Sequence, residues 1–163
     1  MIVGMSTPVF LTLHVTLSLV GIVGGLAVAA ALLRGRYPAA VTAIFLATTI
    51  LTSATGFPLP PYGFDPPRVV GTLSLVLLAL AIAGLYVYKL AGAWRWIYIS
   101  TALAALYLNC FVAVIQSFQK IPAVNALAPT QTELPFLIAQ VVVLGAFIAI
   151  GVAAIRHKNP GQS

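Results

Sequence analysis

His14 is the one histidine set well inside a long apolar stretch, and an imidazole in such surroundings suits a ligand, a proton carrier or a haem axial ligand. Other uncharged hydrogen-bonding side chains stand in apolar stretches elsewhere: Thr49, Thr52 and Ser53, then Asn109 and Gln116 seven residues apart, then Gln140. Hydroxyls and amides cost free energy in hydrocarbon unless they are satisfied, so these groups are expected to turn inward. There they either bond helix to helix or converge with His14 on an outward-open polar cavity.

The spacing supports little else. His157 follows Arg156 at the far end of its own stretch, about a membrane thickness from His14, so it is not placed to be a second haem ligand. The expectation is therefore no cofactor, with haem as the minor alternative at His14, and no metal, because no cluster of His, Cys and carboxylate exists. Cys110 stands alone beside Asn109 and reads as a small buried apolar residue. No GxSxG, CxxC, HExxH, phosphate-loop or dinucleotide fingerprint is present, and the two carboxylates, Asp65 and Glu133, are far apart in sequence. Catalysis has no positive support.

The elements that must position these residues follow from where charge is missing. The chain has 163 residues with only ten charged, and it is free of charge over 1–33, 37–64, 69–88, 96–119 and 134–155. With 61% apolar residues and a mean hydropathy of +1.10, it has too little charge to clothe a water-soluble globule. A helix rises 1.5 Å per residue and crosses a hydrocarbon core in about 20 residues, so each run is long enough to span a bilayer. In lipid such segments must be helical, since nothing else satisfies the backbone. The expected fold is an all-α integral membrane bundle of five transmembrane helices in a single domain, at about 8–33, 38–56, 69–89, 95–118 and 135–156. The first run is too long for a signal-peptide core and reads as a retained helix.

Between the spans, 57–68 (FPLPPYGFDPPR) and 119–134 are long, proline-rich outer loops, the first read as non-helical and the second leaving a short interfacial helix open, whereas the other turns are tight. Tyr62, Asp65, Arg68, Lys120 and Glu133 are the candidate contact residues there. Asp65 with Arg68, and Lys120 with Glu133, are spaced for local or loop-to-loop pairs, each contributing under about 1 kcal/mol. Arg34, Arg36, Lys89, Arg95, Arg156 and Lys158 fall on one side and only Arg68 and Lys120 on the other. Positive loops stay cytoplasmic, which puts the N-terminus outside and the C-terminus in the cytoplasm. The eight basic residues form no stripe, so the +6 net charge is no mark of nucleic-acid binding. Gly21 and Gly25, continued by Ala29, and Gly145 and Ala149, continued by Ala153, make two small-residue ridges suited to close helix packing, within the bundle or in a homo-oligomer.

The segments Leu106–Gln140 (LYLNCFVAVIQSFQKIPAVNALAPTQTELPFLIAQ) and Thr52–Pro61 (TSATGFPLPP) resemble uncharacterised small multi-pass proteins of bacterial inner membranes, which have no assigned activity. The resemblance implies a bacterial inner (plasma) membrane as the home and carries over no catalytic residue. Three functional expectations follow. The leading one is a non-catalytic accessory or assembly subunit that meets other membrane protein subunits through its outer loops or apolar flanks. The second is a small solute or proton pathway, in a dimer or alone, lined by His14, Asn109, Gln116 and Gln140. The third is a haem- or quinone-linked redox subunit using His14.

Overall fold

The structure is a computed structural model that describes residues 1–60 and 66–157. Among these residues the regular elements are all helical: α1 (Thr7–Leu32), α2 (Ala39–Gly56), α3 (Pro66–Ile82) running into a π-helical turn (Ala83–Val87), α4 (Trp94–Lys120), a single turn α5 (Pro122–Asn125), and α6 (Leu134–Arg156). Five of these, counting α3 with its π turn, are long and apolar enough to cross a membrane. Pro8, Pro122 and Pro135 sit in first turns, where a missing N–H is harmless.

Two details of the sequence reading need correction. Residues 66–68 were expected in a non-helical connection, yet α3 begins at Pro66. The reason is that the first N–H groups of a helix have no intrahelical acceptor, so Pro66 and Pro67 remove nothing the helix uses. The outer loop expected from 119 begins later, because α4 runs to Lys120, and it holds the α5 turn, a short helix that the sequence leaves open.

Helix α1 packs on α2, α2 on α3, α3 on α4 and α4 back on α1, closing a four-helix ring; α6 lies outside it and makes its extended contact with α4. Only 6% of the apolar window of α6 is buried, against 39% for α4, so α4 is the axis of the fold and α6 its flank. The apolar core comprises Val28 and Leu32 from α1, Phe45 and Leu46 from α2, Leu78 and Ala81 from α3, and Tyr98, Ala102, Ala105 and Leu106 from α4. It fills the half of the ring nearer the end that carries Arg34, Arg36, Lys89 and Arg95. The other half carries polar side chains among apolar ones.

Small residues set how closely the ring closes. A Cβ at Gly25 would run into Leu106 Cδ1 and lie 2.9 Å from the Phe45 ring, and one at Gly21 would stand 3.0 Å from Thr49 Oγ1 and 3.3 Å from Asn109 Nδ2. The first ridge thus admits α2 and α4 together. At Gly145 a Cβ would meet nothing within 4 Å, and Ala149 and Ala153 are exposed, so the second ridge faces away from the chain. Gly84, in the π turn, lies close against α4: its Cβ would be 3.2 Å from the Trp94 carbonyl and from Tyr98 Cβ. The wider turn lets α3 settle there, and Tyr88 stacks on Trp94 with centroids 3.8 Å apart.

Two arginines fasten helix ends. Arg95, in the first turn of α4, donates to the Tyr37 hydroxyl at 3.0 Å, to the Ala154 and Ile155 carbonyls at 3.1 Å, and to the His157 carbonyl at 2.6 Å. It thereby caps the C-terminus of α6, where unpaired carbonyls and the helix dipole favour a cation. Arg68, in the first turn of α3, does the same for α2, donating to the carbonyls of Phe57 at 3.0 Å and Leu59 at 2.9 Å.

Candidate functional site

The polar half of the ring encloses a cavity of about 100 Å³. Each of the four helices contributes one face at helical spacing: His14 and Ser18 from α1; Thr49, Thr52, Ser53 and Gly56 from α2; Pro67, Val70, Gly71 and Ser74 from α3; Leu108, Asn109 and Val112 from α4. Pro67 and Gly56 place it beside the end where α2 stops and α3 starts. Glycine makes the room: a Cβ at Gly56 would touch His14 Cε1 at 3.5 Å, and one at Gly71 would meet the Ser53 carbonyl at 3.6 Å.

The hydrogen bonds of the wall run in one direction. Thr49 donates to the Phe45 carbonyl at 2.7 Å, Thr52 to the Thr48 carbonyl at 2.8 Å and Thr55 to the Leu51 carbonyl at 2.7 Å, each one turn back along α2. This is the usual way a hydroxyl is satisfied within a membrane helix. Ser18 donates to Asn109 Oδ1 at 2.8 Å, and Asn109 Nδ2 reaches back to the Ser18 carbonyl at 3.4 Å. His14 Nδ1 meets Thr55 Oγ1 at 2.9 Å.

Of the residues singled out from sequence, His14, Thr49, Thr52, Ser53 and Asn109 come together here. Gln116 and Gln140 do not line the cavity. Gln140 is buried between α4 and α6, its Nε2 donating to the Phe111 carbonyl at 3.3 Å, and its Oε1 and that of Gln116 are buried without a hydrogen-bond partner. Seven-residue spacing put Gln116 on the side of α4 that carries Asn109, but the cavity ends at Val112. Sequence reading missed Ser18, Thr55 and Ser74. Ser18 had a signal, standing one turn from His14; a lone serine in the apolar α3 had none.

The outer-loop candidates divide as well. Tyr62 and Asp65 lie outside the described residues, as does Lys158. Arg68 is the α2 cap described above, and Lys120 is exposed in the last turn of α4. Glu133, the residue before α6, accepts at Oε1 from the Thr130 amide (3.1 Å) and hydroxyl (2.9 Å) and at Oε2 from the Thr132 amide (3.0 Å). Desolvation opposes ionisation, but these hydrogen bonds together outweigh it and hold the carboxyl below its ordinary range.

Among the described residues the wall has hydroxyls, an amide and an imidazole and no charged side chain. His14 and Thr55 have the separation of a base and a nucleophile, but Thr55 directs its hydrogen to a backbone carbonyl, and among the described residues nothing holds the second ring nitrogen. The arrangement can bind through hydrogen bonds and can pass a proton at His14. His157 sits at the opposite end of the bundle, beside Arg95, so the two histidines do not face each other as a bis-histidine haem requires. Among the described residues no three His, Cys, Asp or Glu side chains gather. Comparison with protein-family models, curated proteins and solved structures finds no match.

Proposed function

We propose that this chain is a non-catalytic multi-pass protein of a bacterial inner membrane that admits a small polar solute from the outer side into the cavity among α1 to α4. The N-terminus is outside and the C-terminus cytoplasmic. One observation carries the reading: four helices deliver polar side chains to a single cavity in one half of the ring. In hydrocarbon each such group is a cost that dispersed apolar residues would avoid. The basic residues at the opposite end support the orientation through the positive-inside bias, and Phe45, Leu78 and Leu106, buried beyond the cavity, support an outward-open state.

The test is flux into liposomes holding the purified protein, with a panel of uncharged solutes of about two to five heavy atoms. Wild type is expected to exceed protein-free liposomes for at least one solute. His14→Ala and Asn109→Leu are expected to reduce that excess about tenfold or more while the protein still elutes as a folded species. Liposomes no more permeable than empty ones, together with no solute that stabilises the protein, would remove the reading.

A second reading, the accessory subunit, draws on α6. Its flank is almost wholly exposed along a membrane-length helix, including Gly145 and Ala149. Extraction in mild detergent is expected to recover stoichiometric partners if this reading holds, and a stable lone chain would count against it.

A further inference from the structure

The direction of the hydrogen bonds around the cavity specifies what it takes. Ser18, Thr49 and Thr52 each have one hydroxyl hydrogen, and each directs it into the protein: to Asn109 Oδ1, to the Phe45 carbonyl and to the Thr48 carbonyl. What these three oxygens have left is lone pairs. The same bookkeeping fixes His14. With the Thr55 hydrogen placed on the Leu51 carbonyl at 2.7 Å, the 2.9 Å contact assigns His14 the tautomer whose Nδ1–H donates to Thr55 Oγ1. A neutral imidazole with hydrogen on Nδ1 carries a lone pair on Nε2. Four acceptors therefore line a space in which, among the described residues, Asn109 Nδ2, with one hydrogen already turned to the Ser18 carbonyl, is the only fixed donor. The Ser53 and Ser74 hydroxyls serve either way.

We infer that the cavity binds a small neutral solute rich in N–H or O–H donors, of the amide or urea class, with His14 Nε2 as a principal acceptor. Charge is disfavoured because among the described residues no carboxylate lines the wall, so an ion taken from water would find no counter-charge there. Size agrees. A cavity of about 100 Å³ holds roughly three waters at about 30 Å³ each, or one solute of about three to five heavy atoms. An acceptor-only molecule of the same shape would leave the lone pairs of the wall facing its own, and buried acceptors without donors are a penalty.

This inference rests on the solute-binding reading above, and an isosteric series separates the two. Acetone, urea and guanidinium are planar, of four heavy atoms, and differ as acceptor only, neutral donor-rich and cationic donor. Each is added at millimolar concentration, far below denaturing levels, to the full chain in nanodiscs with nitrogen-15 histidine; the His14 resonances are identified by their loss in His14→Gln. Urea is expected to shift the Nε2 resonance saturably, with acetone and guanidinium at least fivefold weaker. Thr52→Val, which keeps shape and removes one acceptor, is expected to weaken urea about three- to tenfold. Equal or tighter binding of acetone or guanidinium overturns the donor inference and leaves a solute site standing. No shift from any of the three, while flux persists for other solutes, overturns the inference alone; no shift and no flux overturn both.

Discussion

At the scale of single residues, the chain satisfies polar groups locally before it joins helices. Most threonine hydroxyls of α2 turn back to their own helix, and few bonds of uncharged side chains cross between helices among the described residues: His14 with Thr55, Ser18 with Asn109, and Gln140 with the Phe111 carbonyl. Each such link contributes about 0.6 to 2 kcal/mol in a membrane, enough to choose a register but too little to hold a bundle alone. Glu133 follows the same rule outside the apolar spans. Its carboxylate ties Thr130 and Thr132 ahead of α6, where the positive end of the helix dipole also favours an anion. Because the carboxyl lies below its ordinary value of 4.5 in the fold, ionised Glu133 contributes fully above that value and its contribution is lost as pH falls through the lower, folded one. Amide protection over 130–134 is therefore expected to hold as pH is brought down to the ordinary carboxylate range and to fall only below it. In Glu133→Gln it should be low throughout, and equal protection in the two proteins would show that the threonines do not depend on the carboxylate.

At the scale of elements, the two glycine ridges make opposite claims. Gly25→Ala pushes a methyl against Leu106 and the Phe45 ring at the junction of three helices, and overpacking of this kind costs about 1 to 3 kcal/mol. Gly145→Ala meets open space and should leave the folded chain unchanged or slightly steadier, since alanine is the better helix former. Thermal unfolding in one detergent compares them directly, and an equal loss in both would contradict the packing described here. The sequence cannot tell the ridges apart, because a helix that is apolar all round carries no periodic sign of which face meets protein and which meets lipid. The ends of the spans were legible for the converse reason: charge and proline mark them, and the expected 95–118 and 135–156 differ by at most two residues at any end from Trp94–Lys120 and Leu134–Arg156. The cavity was legible only where polar residues cluster within one helix, as Thr49, Thr52 and Ser53 do. Arg95 could be read as a topological charge but not as the fork that reaches four oxygens on two other segments. Arg95→Lys keeps the charge and loses the fork, so increased amide exchange is expected over 152–157, with 134–140 unaffected. Unchanged exchange at both ends would mean that α6 is held by its packing on α4 alone.

At the scale of the whole molecule, the ring is divided across its length. An apolar core from Phe45 to Leu106 lies toward the basic end and a polar cavity toward the end that bears Glu133. The division gives the proposed orientation its functional meaning. If the basic end is cytoplasmic, the cavity opens to the outside and the apolar core separates it from the cell; if the chain is inverted, the same cavity draws from the cytoplasm and the direction of any solute movement reverses. Positive-inside bias favours the first arrangement, with Arg34, Arg36 and Lys89 in the two short turns and Arg95 at the start of α4 beside them. Two exposed alanines test it. In a Cys110→Ser background, Ala126→Cys lies between α5 and α6 and Ala91→Cys in the turn between α3 and α4, at opposite ends of the ring. A membrane-impermeant maleimide applied to intact spheroplasts is expected to label Ala126→Cys at once and Ala91→Cys only after permeabilisation. The opposite pattern would invert the topology and turn the cavity to the cytoplasm. Urea binding in nanodiscs, which expose both faces, would be unaffected, so the site chemistry and the direction it serves can fail independently.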